Sequence, residues 1–377
     1  MRILVTGGAG FIGSRLCLRL SREGHEVTVL DCLSRQVHGV NPAETSPLYR
    51  SVRDLVRMEV GSVGDEQAVD RVLEGQEAIV HLAAETGTGQ SMYEIKRYID
   101  VNIGGTGLIL DRLARGGHSV RRFVVASSRA IYGEGRYRSR VLGVVYPGPR
   151  REEDMRAGRF DPLCPATGEP MEPLPTDEDS KIHPSSVYGI TKQNQEQLVL
   201  TVCPSVGIDA VALRYQNVYG PGQSLRNPYT GILSIFSTRI KNGNPLNIFE
   251  DGRETRDFVH VDDVVEATFA SVFSEAARNQ VVGVGSGCPT DVMTVARTLV
   301  DCYQVEVPIQ VTGTYRLGDI RHNFADLTKA RRVLGFEPRV AFSAGIRDFA
   351  RWVDTQPVPS DAYEKSLAEL KSRGLYK

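Results

Sequence analysis

The sequence predicts an α/β protein with a doubly wound parallel sheet and a smaller C-terminal domain, and three observations support this prediction. The chain opens with the apolar run Ile3-Leu4-Val5, which leads directly into the glycine-rich stretch TGGAGFIG at residues 6–13. A second apolar segment follows one helix length later, at residues 26–30. Further apolar runs, as expected for parallel strands buried on both faces, occur at residues 78–84, 123–126 and 209–214.

Composition limits the kinds of partner. The 377 residues include 45 basic and 46 acidic side chains, for a formal net charge of -1. Charges this evenly balanced give no electrostatic footprint for nucleic acid or an anionic membrane surface. The first residues have no signal-peptide layout and no apolar run reaches membrane-spanning length. We therefore expect a cytoplasmic protein that binds neither nucleic acid nor membrane.

Cysteine and histidine spacing does not indicate metal binding. The 6 cysteines include no C-x-x-C pair, and the 7 histidines show no H-E-x-x-H pattern. We therefore expect buried reduced thiols and no bound metal.

The glycine-rich stretch predicts a dinucleotide-binding loop between the first strand and the first helix. Gly7, Gly10 and Gly13 would let backbone amides approach a pyrophosphate, and the helix N-terminus favours the anion. The second strand ends in Asp31, where a carboxylate can bind both ribose hydroxyls and repel a 2′-phosphate. The pattern favours NAD over NADP, and the alternative is a glycine-rich turn in some other α/β protein.

Polar residues also follow the later strands. The third apolar run leads into a loop that begins with Glu85 and Thr86, and the fourth ends in Ser127 and Ser128. In doubly wound sheets, ligands bind beyond the carboxyl ends of the strands, so we expect Glu85 and Thr86 to face cofactor or substrate. A helix is predicted between these two runs, over residues 98–113.

The segment 134–184 differs in composition from the rest of the chain. It is dense in Gly, Pro and Arg and has no sustained periodicity, which is typical of lids, binding loops or disordered segments. Because it leaves after Ser128 and returns just before Tyr188, we expect it to fold over the pocket edge and help select the substrate. A solvated decoration is the alternative. Its candidates for contact with phosphate or a partner subunit are Arg136, Arg138, Arg140, Arg150 and Arg151.

The domain boundaries follow from where the regular alternation of elements ends. We predict a first domain over residues 1–220, which contains the 134–184 insertion, and a second domain over residues 221–377. Residues 257–275 are expected to return to the first domain. The last helix, at about residues 360–376, is expected to be charged and peripheral.

Tyr188 and Lys192 form a candidate proton-transfer pair. Four residues apart on a predicted helix, they share one face. A free tyrosine has a pKa of about 10, so ionising it near neutrality takes roughly 4 kcal/mol from its surroundings. The ammonium of Lys192 and an oxidised nicotinamide would both favour the phenolate. The alternative is a surface helix that carries an unrelated tyrosine and lysine.

Together these motifs resemble the extended short-chain dehydrogenase/reductase family over nearly the whole chain. The matching segments are TGGAGFIG, Asp31, HLAA at 81–84, Asn102-x-x-Gly105-Thr106, Ser127-Ser128, YGITK at 188–192, and residues 214–223, 250–264 and 316–326. The resemblance implies a Rossmann fold, NAD as cofactor, a nucleotide-diphosphate sugar as substrate, and a homodimer.

The resemblance also implies roles for individual residues. Ser128 and Tyr188 would contact the reacting sugar hydroxyl, and Lys192 would hold the nicotinamide ribose. The cofactor contacts would be Gly7, Gly10, Phe11, Ile12, Gly13, Asp31, Ser62, Val63, Leu82, Ala83, Ala84, Asn102, Tyr188 and Lys192. The substrate contacts would be Glu85, Thr86, Ser128, Arg129, Asn217, Arg256, Arg316, Asp319 and Arg321.

Arg129 and Ala130 narrow the reaction. Members of the family that dehydrate nucleotide sugars carry an acidic pair just after the position of Ser128, and here that pair is absent. The resemblance therefore implies 4-epimerisation through a transient 4-keto sugar, with a TDP-6-deoxyhexose such as TDP-L-rhamnose as substrate. Epimerisation of UDP-glucose or UDP-glucuronate, reduction of a 4-keto sugar, and a non-catalytic NAD sensor are the alternatives.

Two residues depart from the family pattern. Ser62 replaces an aspartate that many members have near the adenine, which would shift adenine contacts to backbone groups. Gln216 replaces an aromatic residue that usually precedes Asn217, which would make the sugar pocket more polar.

Overall fold

The computed structural model describes residues 1–225, 227, 231–361 and 363–377. The strands are β1 (Arg2–Thr6), β2 (Glu26–Asp31), β3 (Arg57–Val60), β4 (Ala78–His81), β5 (Arg122–Ser128), β6 (Arg136–Ser139), β7 (Gly143–Val145), β8 (Glu172–Leu174), β9 (Asp209–Tyr215), β10 (Asn217–Tyr219), β11 (Leu246–Ile248), β12 (Thr255–His260), β13 (Gln280–Val284), β14 (Pro289–Asp291), β15 (Ile309–Val311) and β16 (His322–Asn323).

The helices lie between these strands. They are α1 (Phe11–Arg22), α2 (Arg35–His38), α3 (Pro42–Thr45), α4 (Pro47–Val52), α5 (Glu66–Leu73), α6 (Thr88–Ser91), α7 (Ile95–Tyr98), α8 (Gly105–Ala114), α9 (Glu152–Arg156), α10 (Val187–Ser205), α11 (Ile232–Lys241), α12 (Val261–Phe273), α13 (Val292–Tyr303), α14 (Thr328–Leu334), α15 (Phe342–Asp354) and α16 (Tyr363–Ser372). A π-helical turn spans Ile99–Gly104, and 3₁₀ turns span Arg129–Tyr132 and Glu275–Ala277.

A seven-stranded parallel sheet forms the centre of the protein, in the order β13-β9-β5-β4-β1-β2-β3. One face packs against α1 and α12 in a single hydrophobic core. The other face packs against α5, α8 and α10 in a second core. The predicted doubly wound sheet is confirmed, and the carboxyl ends of its strands meet at one edge.

The second domain has its own core between α11, α13, α15 and strand β12. The chain returns to the first domain along α12, which lies on α1 and is held by an ion pair of 2.6 Å between Arg15 and Asp262. After α12, strand β13 pairs with β9 and adds the seventh strand to the sheet.

The segment 134–184 is an ordered subdomain. It contains a three-stranded antiparallel sheet, β7-β6-β8, and a small core of Tyr137, Cys164 and Met171. Arg150 is buried and binds Glu134 and Glu250 at 3.1 and 2.8 Å, so it ties the subdomain to the second domain. Local periodicity gave no sign of this order because long-range ion pairs hold the segment together.

Two predicted helices differ from the structure. The helix predicted over 98–113 is interrupted by the π-helical turn, and α16 is not merely peripheral, because Leu367 and Leu370 on its inner face are buried. One residue of the predicted last helix, at position 362, lies outside the described residues.

Candidate active site

A cavity of about 1340 Å³ lies at the carboxyl edge of the central sheet, between the sheet and the second domain. The glycine loop after β1 lines one end of it, and the ends of β5 and β9 line the other. Both sets of ligand-facing residues predicted from the strand ends therefore belong to one site.

The glycine loop requires its glycines. Gly7 has φ of 71°, and a Cβ there would lie 2.9 Å from the amide nitrogen of Ala83. A Cβ at Gly13 would collide with the carbonyl oxygen of Gly7. With Gly10, Phe11 and Ile12 also lining the cavity, the loop forms a cradle of backbone in front of the N-terminus of α1, which fits a dinucleotide pyrophosphate.

Asp31 faces the same end of the cavity. Its Oδ2 accepts a hydrogen bond from Ala9 N at 3.0 Å and its Oδ1 accepts one from Leu33 N at 2.9 Å. Each carboxylate oxygen has two lone pairs, so acceptor capacity remains for ribose hydroxyls. The Nε2 atom of His38 lies 3.9 Å from Oδ1, and burial lowers the pKa of this histidine.

Residues 34–52 close over this end, although no sequence pattern indicated that they would line the cavity. The amide of Gln36 donates to Gln90 Oε1 at 3.2 Å and to Asn227 Oδ1 at 3.0 Å, so it bridges the loop after β4 and the second domain. The segment consists of short helical turns without a repeating apolar face, which explains why periodicity gave no signal.

The other end of the cavity carries the predicted proton-transfer residues. Ser128 ends β5, while Tyr188 and Lys192 lie in the first two turns of α10, and all three line the cavity. The hydroxyl of Ser186 caps α10 by accepting from Gly189 N at 3.1 Å. A Cβ at Gly189 would lie only 2.6 Å from Ala130 O, so glycine there lets the helix pack onto the turn that follows Ser128.

The electrostatics of this wall are dominated by burial. Burial raises the pKa of Tyr188, whereas a hydrogen bond with Ser128 and the charge of Arg129 lower it. Burial lowers the pKa of Lys192 to about 7, and its Nζ donates to Ala126 O at 2.9 Å. The site can therefore hold a base whose ionisation is set by nearby charges.

A match to a family model shows which protein family the chain belongs to. The model described as the NAD dependent epimerase/dehydratase family matches residues 3–285. The chain belongs to this family. Family membership confirms the resemblance found in the sequence and makes NAD the cofactor of the glycine-loop end.

Individual relatives of this family align with nearly the whole chain. The dTDP-L-rhamnose 4-epimerase of Burkholderia thailandensis is 37% identical over 360 residues, which cover 93% of this chain and 94% of the relative. The solved UDP-glucose 4-epimerase of Thermotoga maritima, with UDP-glucose, has a TM-score of 0.74 and 29% identity and covers 94% of this chain and 99% of its own. That of Thermus thermophilus, with NAD, has a TM-score of 0.73 and 27% identity and covers 95% and 100%.

Most of the predicted cofactor residues line the family's cofactor cavity, but Asn102 does not. Those that line it are Gly7, Gly10, Phe11, Ile12, Gly13, Asp31, Ser62, Val63, Leu82, Ala83, Ala84, Tyr188 and Lys192. Asn102 is fully buried, and its amide bonds the backbone of Glu85 and the hydroxyl of Thr191. It therefore fixes the loop after β4 against α10 rather than facing a ligand.

The predicted substrate residues divide into two groups. Glu85, Thr86, Ser128, Arg129 and Asn217 line the cavity. Arg256, Arg316, Asp319 and Arg321 do not line it, so their contacts with a ligand stay a prediction.

These four residues have hydrogen-bond or ion-pair partners within the protein. Arg321 is 1% exposed and binds Asp161 and Asp251, both at 2.7 Å. Arg256 donates to three backbone carbonyls, while Arg316 pairs with Asp319 at 2.9 Å. All three nitrogens of the Arg321 guanidinium are engaged, whereas the Nε of Arg316 has no hydrogen-bond partner among the described residues.

The arginines of the segment 134–184 are likewise mostly paired with carboxylates. In addition to Arg150, the pairs are Arg136–Asp177, Arg138–Glu172 and Arg151–Asp154, while Arg140 is exposed. Among the described residues, none from 131 to 187 lines the cavity, and a role of the segment in selecting the substrate stays a prediction.

Gln216 and Gln223 are among the cavity residues that the predicted site did not include. Gln216 is 7% exposed and its Nε2 donates to Asn323 Oδ1 at 3.0 Å, and Gln223 is equally buried. The departure of Gln216 from the family pattern was the available signal, since it makes the wall beside Asn217 polar.

Buried polar groups support the catalytic wall from behind. Glu196 on α10 binds Arg214 at 2.6 Å and accepts from Ser127 at 2.5 Å, so it fixes the helix against β5 and β9. His81 bonds the hydroxyls of Thr6 and Thr106, and burial lowers its pKa to about 3, which keeps it neutral.

The described part of the chain has neither a metal-binding cluster nor a membrane-spanning helix. It contains no group of three or more His, Cys, Asp or Glu side chains placed to hold a metal ion. None of its helices is both long and apolar enough to span a membrane.

Proposed function

We propose that this protein is an isomerase that interconverts the C4 epimers of a nucleotide-diphosphate sugar, with a TDP-6-deoxyhexose such as TDP-L-rhamnose as substrate. The observation that carries the proposal is the wall formed by Ser128, Arg129, Ala130 and Tyr188. It provides one proton-transfer residue, and neither position after Ser128 holds the acid that elimination of water would need. The 37% identity to a dTDP-L-rhamnose 4-epimerase supports the choice of sugar.

The residues of this wall have separate tasks. Ser128 orients the C4 hydroxyl, and Tyr188 as phenolate removes its proton. NAD, when bound, supplies the reversible redox chemistry at that carbon. Lys192 binds the nicotinamide ribose and contributes positive charge near the phenol. The 4-keto sugar rotates in the cavity and presents its opposite face. Tyr188 then returns the proton to the oxygen on C4.

The proposal is tested by incubating the purified protein with TDP-L-rhamnose, UDP-glucose and UDP-glucuronate without added cofactor. We expect NAD to co-purify, TDP-L-rhamnose to be converted to its C4 epimer, and each bound NAD to support many turnovers. Finding only NADP(H) after denaturation, or one cofactor consumed for each sugar converted, would overturn the epimerase proposal. Stoichiometric consumption would indicate a 4-keto-sugar reductase.

UDP-glucuronate is the second candidate substrate. Arg129 lines the cavity next to Ser128 and has no hydrogen-bond or ion-pair partner among the described residues, so a sugar carboxylate could pair with it. Conversion of UDP-glucuronate but not TDP-L-rhamnose in the same panel would favour this candidate.

A homodimer is part of the proposal. Three isoleucines on adjacent helices are between 43% and 46% exposed: Ile95 on α7, Ile99 in the π-helical turn and Ile190 on α10. These helices therefore present apolar side chains to solvent. Two copies packed about a twofold axis would cover them. Ile190→Glu should give monomers by light scattering, whereas Val311→Glu, at an exposed site in the second domain, should not. A wild-type monomer at working concentration would contradict the dimer.

A cytoplasmic location is also proposed. All six cysteines are unpaired, and three of them are buried, which suits a reducing compartment. Fractionation of cells that produce the protein would test this proposal.

A further inference from the structure

Arg129 differs from the other arginines around the cavity. It is the first residue of the turn after Ser128, and its side chain lines the cavity. The other arginines that line the cavity are engaged: Arg15 pairs with Asp262, and Arg50 donates to Glu44 O. Among the described residues, no hydrogen bond or ion pair engages the guanidinium of Arg129.

The backbone places this charge against the catalytic tyrosine. Ser128 Oγ accepts from Ala130 N at 3.1 Å, which folds the turn back on itself, and interaction with Ser128 lowers the pKa of Tyr188. The close approach of Gly189 to Ala130 O presses the first turn of α10 onto the same turn. Arg129 therefore shares one wall with the phenol.

Lys192 is less suited to supply a constant charge. Its Nζ is committed to Ala126 O, and burial lowers its pKa to about 7, so near neutral pH it is charged only part of the time. Burial lowers the pKa of Arg129 to about 10, which still leaves it charged throughout the neutral range. Arg129 is thus the more constant cation beside Tyr188.

Other charged groups in this region act on the same two residues. Tyr98 on α7 interacts electrostatically with Tyr188, and also with Glu85 and Arg97. Arg129 is opposed by the charge of Arg256 and favoured by the charges of Asp319 and Glu134. Tyr98 is neutral at neutral pH because burial raises its pKa, so it does not compensate the charge of Arg129.

We propose that Arg129 is the fixed positive charge that favours the phenolate form of Tyr188, and that it acts as a positioning residue for proton transfer. A cation close to the phenol favours its charged form, and a partly buried cavity screens this effect less than bulk water does. The inference rests on the proposed function only in taking Tyr188 as the base.

The test is a titration of Tyr188 in the NAD-loaded protein, followed by the ultraviolet absorbance of tyrosinate. The Tyr188→Phe variant is subtracted so that only this phenol is observed. Arg129→Gln should raise the apparent pKa of Tyr188 by about one pH unit, which is tenfold less phenolate on the acid side. Arg129→Lys, which keeps the charge, should stay close to wild type, and so should the control Arg138→Gln in the exposed part of the insertion.

A second readout uses any sugar that the panel shows to be converted. In Arg129→Gln, turnover should fall about tenfold at neutral pH and recover as the pH rises, because higher pH restores the phenolate. A merely structural role would give a loss that pH does not restore.

The outcomes separate this inference from the proposed function. An unchanged Tyr188 titration in Arg129→Gln, confirmed with a folded Arg129→Met variant, would overturn the inference. Failure to convert any sugar in the panel would count against the proposed function, while a shifted titration would still support the inference, since the titration uses no sugar.

Discussion

The two ends of the cavity present polar groups in different ways. At the glycine-loop end the groups are backbone amides and one carboxylate, Asp31, which two nearby amides hold in place. At the sugar end they are side chains from distant parts of the chain, and ion pairs elsewhere decide which of them are free. Arg129 remains free among the described residues, whereas Arg321 is fully engaged. A charged residue near a site is therefore a ligand only if the fold leaves it unpaired.

The sugar end gives the largest expected effect, at Tyr188. Tyr188→Phe should keep NAD binding and the fold but reduce turnover by about 100- to 10,000-fold, because the proposed base is lost. Turnover of the converted sugar and co-purified NAD are the measurements. Tyr146→Phe, in the insertion, is the control and should retain activity. Near-normal turnover in Tyr188→Phe would reassign the base.

The paired arginines should affect stability rather than substrate binding. Arg150→Met removes the buried partner of Glu134 and one of the two buried arginine partners of Glu250, and should reduce the free energy of unfolding by about 3–5 kcal/mol. Arg138→Met breaks an exposed contact of 3.8 Å and should cost less than about 1 kcal/mol. Urea unfolding measures both variants. Similar stability of the two would remove the distinction between paired and exposed arginines.

Lys192 should give a pH-dependent stability difference. Its pKa of about 7 lies below the unfolded value of about 10.4, so in this window the unfolded chain binds more protons and the free energy of unfolding rises with pH. Below the window, the folded protein holds a buried charge. Lys192→Met should therefore stabilise the NAD-free protein by a few kcal/mol below about pH 7 and by less near pH 10.

Thermal melts across this pH range would measure the difference. Lys96→Met removes an exposed ammonium and should show no such trend. A constant difference between wild type and Lys192→Met would mean that Lys192 has the same pKa in the folded and unfolded protein.

At the glycine-loop end, Asp31→Ala should have a smaller effect. Loss of the charged acceptor should weaken NAD binding by about 10- to 100-fold and reduce the discrimination against NADP, because the repelling carboxylate is gone. Calorimetric titration of the cofactor-depleted protein with each dinucleotide gives both values. Asp54→Ala, at an exposed carboxylate, is the control. Unchanged preference for NAD would assign the discrimination to other groups, such as His38.

Local geometry explains which parts of the site could be predicted. The glycines, Asp31 and the Tyr188/Lys192 spacing act within a few residues of one another, so the sequence pattern contains their arrangement. The segment 34–52 escaped prediction because its position depends on Gln36 reaching Gln90 and Asn227, which are far away in the chain. The hydrogen bond from Asn102 to Thr191 likewise joins residues far apart in the chain, so the local sequence pattern could not indicate it.

The sequence by itself determined the doubly wound sheet, the dinucleotide loop and the residues of the proton-transfer wall, because hydrophobic periodicity and short-range spacing specify them. The tertiary structure alone decided that the segment 134–184 is a folded subdomain and that its described residues do not line the cavity. It also decided that Arg256 binds a backbone carbonyl and Arg321 a carboxylate, while Arg129 lines the cavity. Charge pairing is a property of the whole fold, since each ion pair joins residues whose proximity no local pattern encodes.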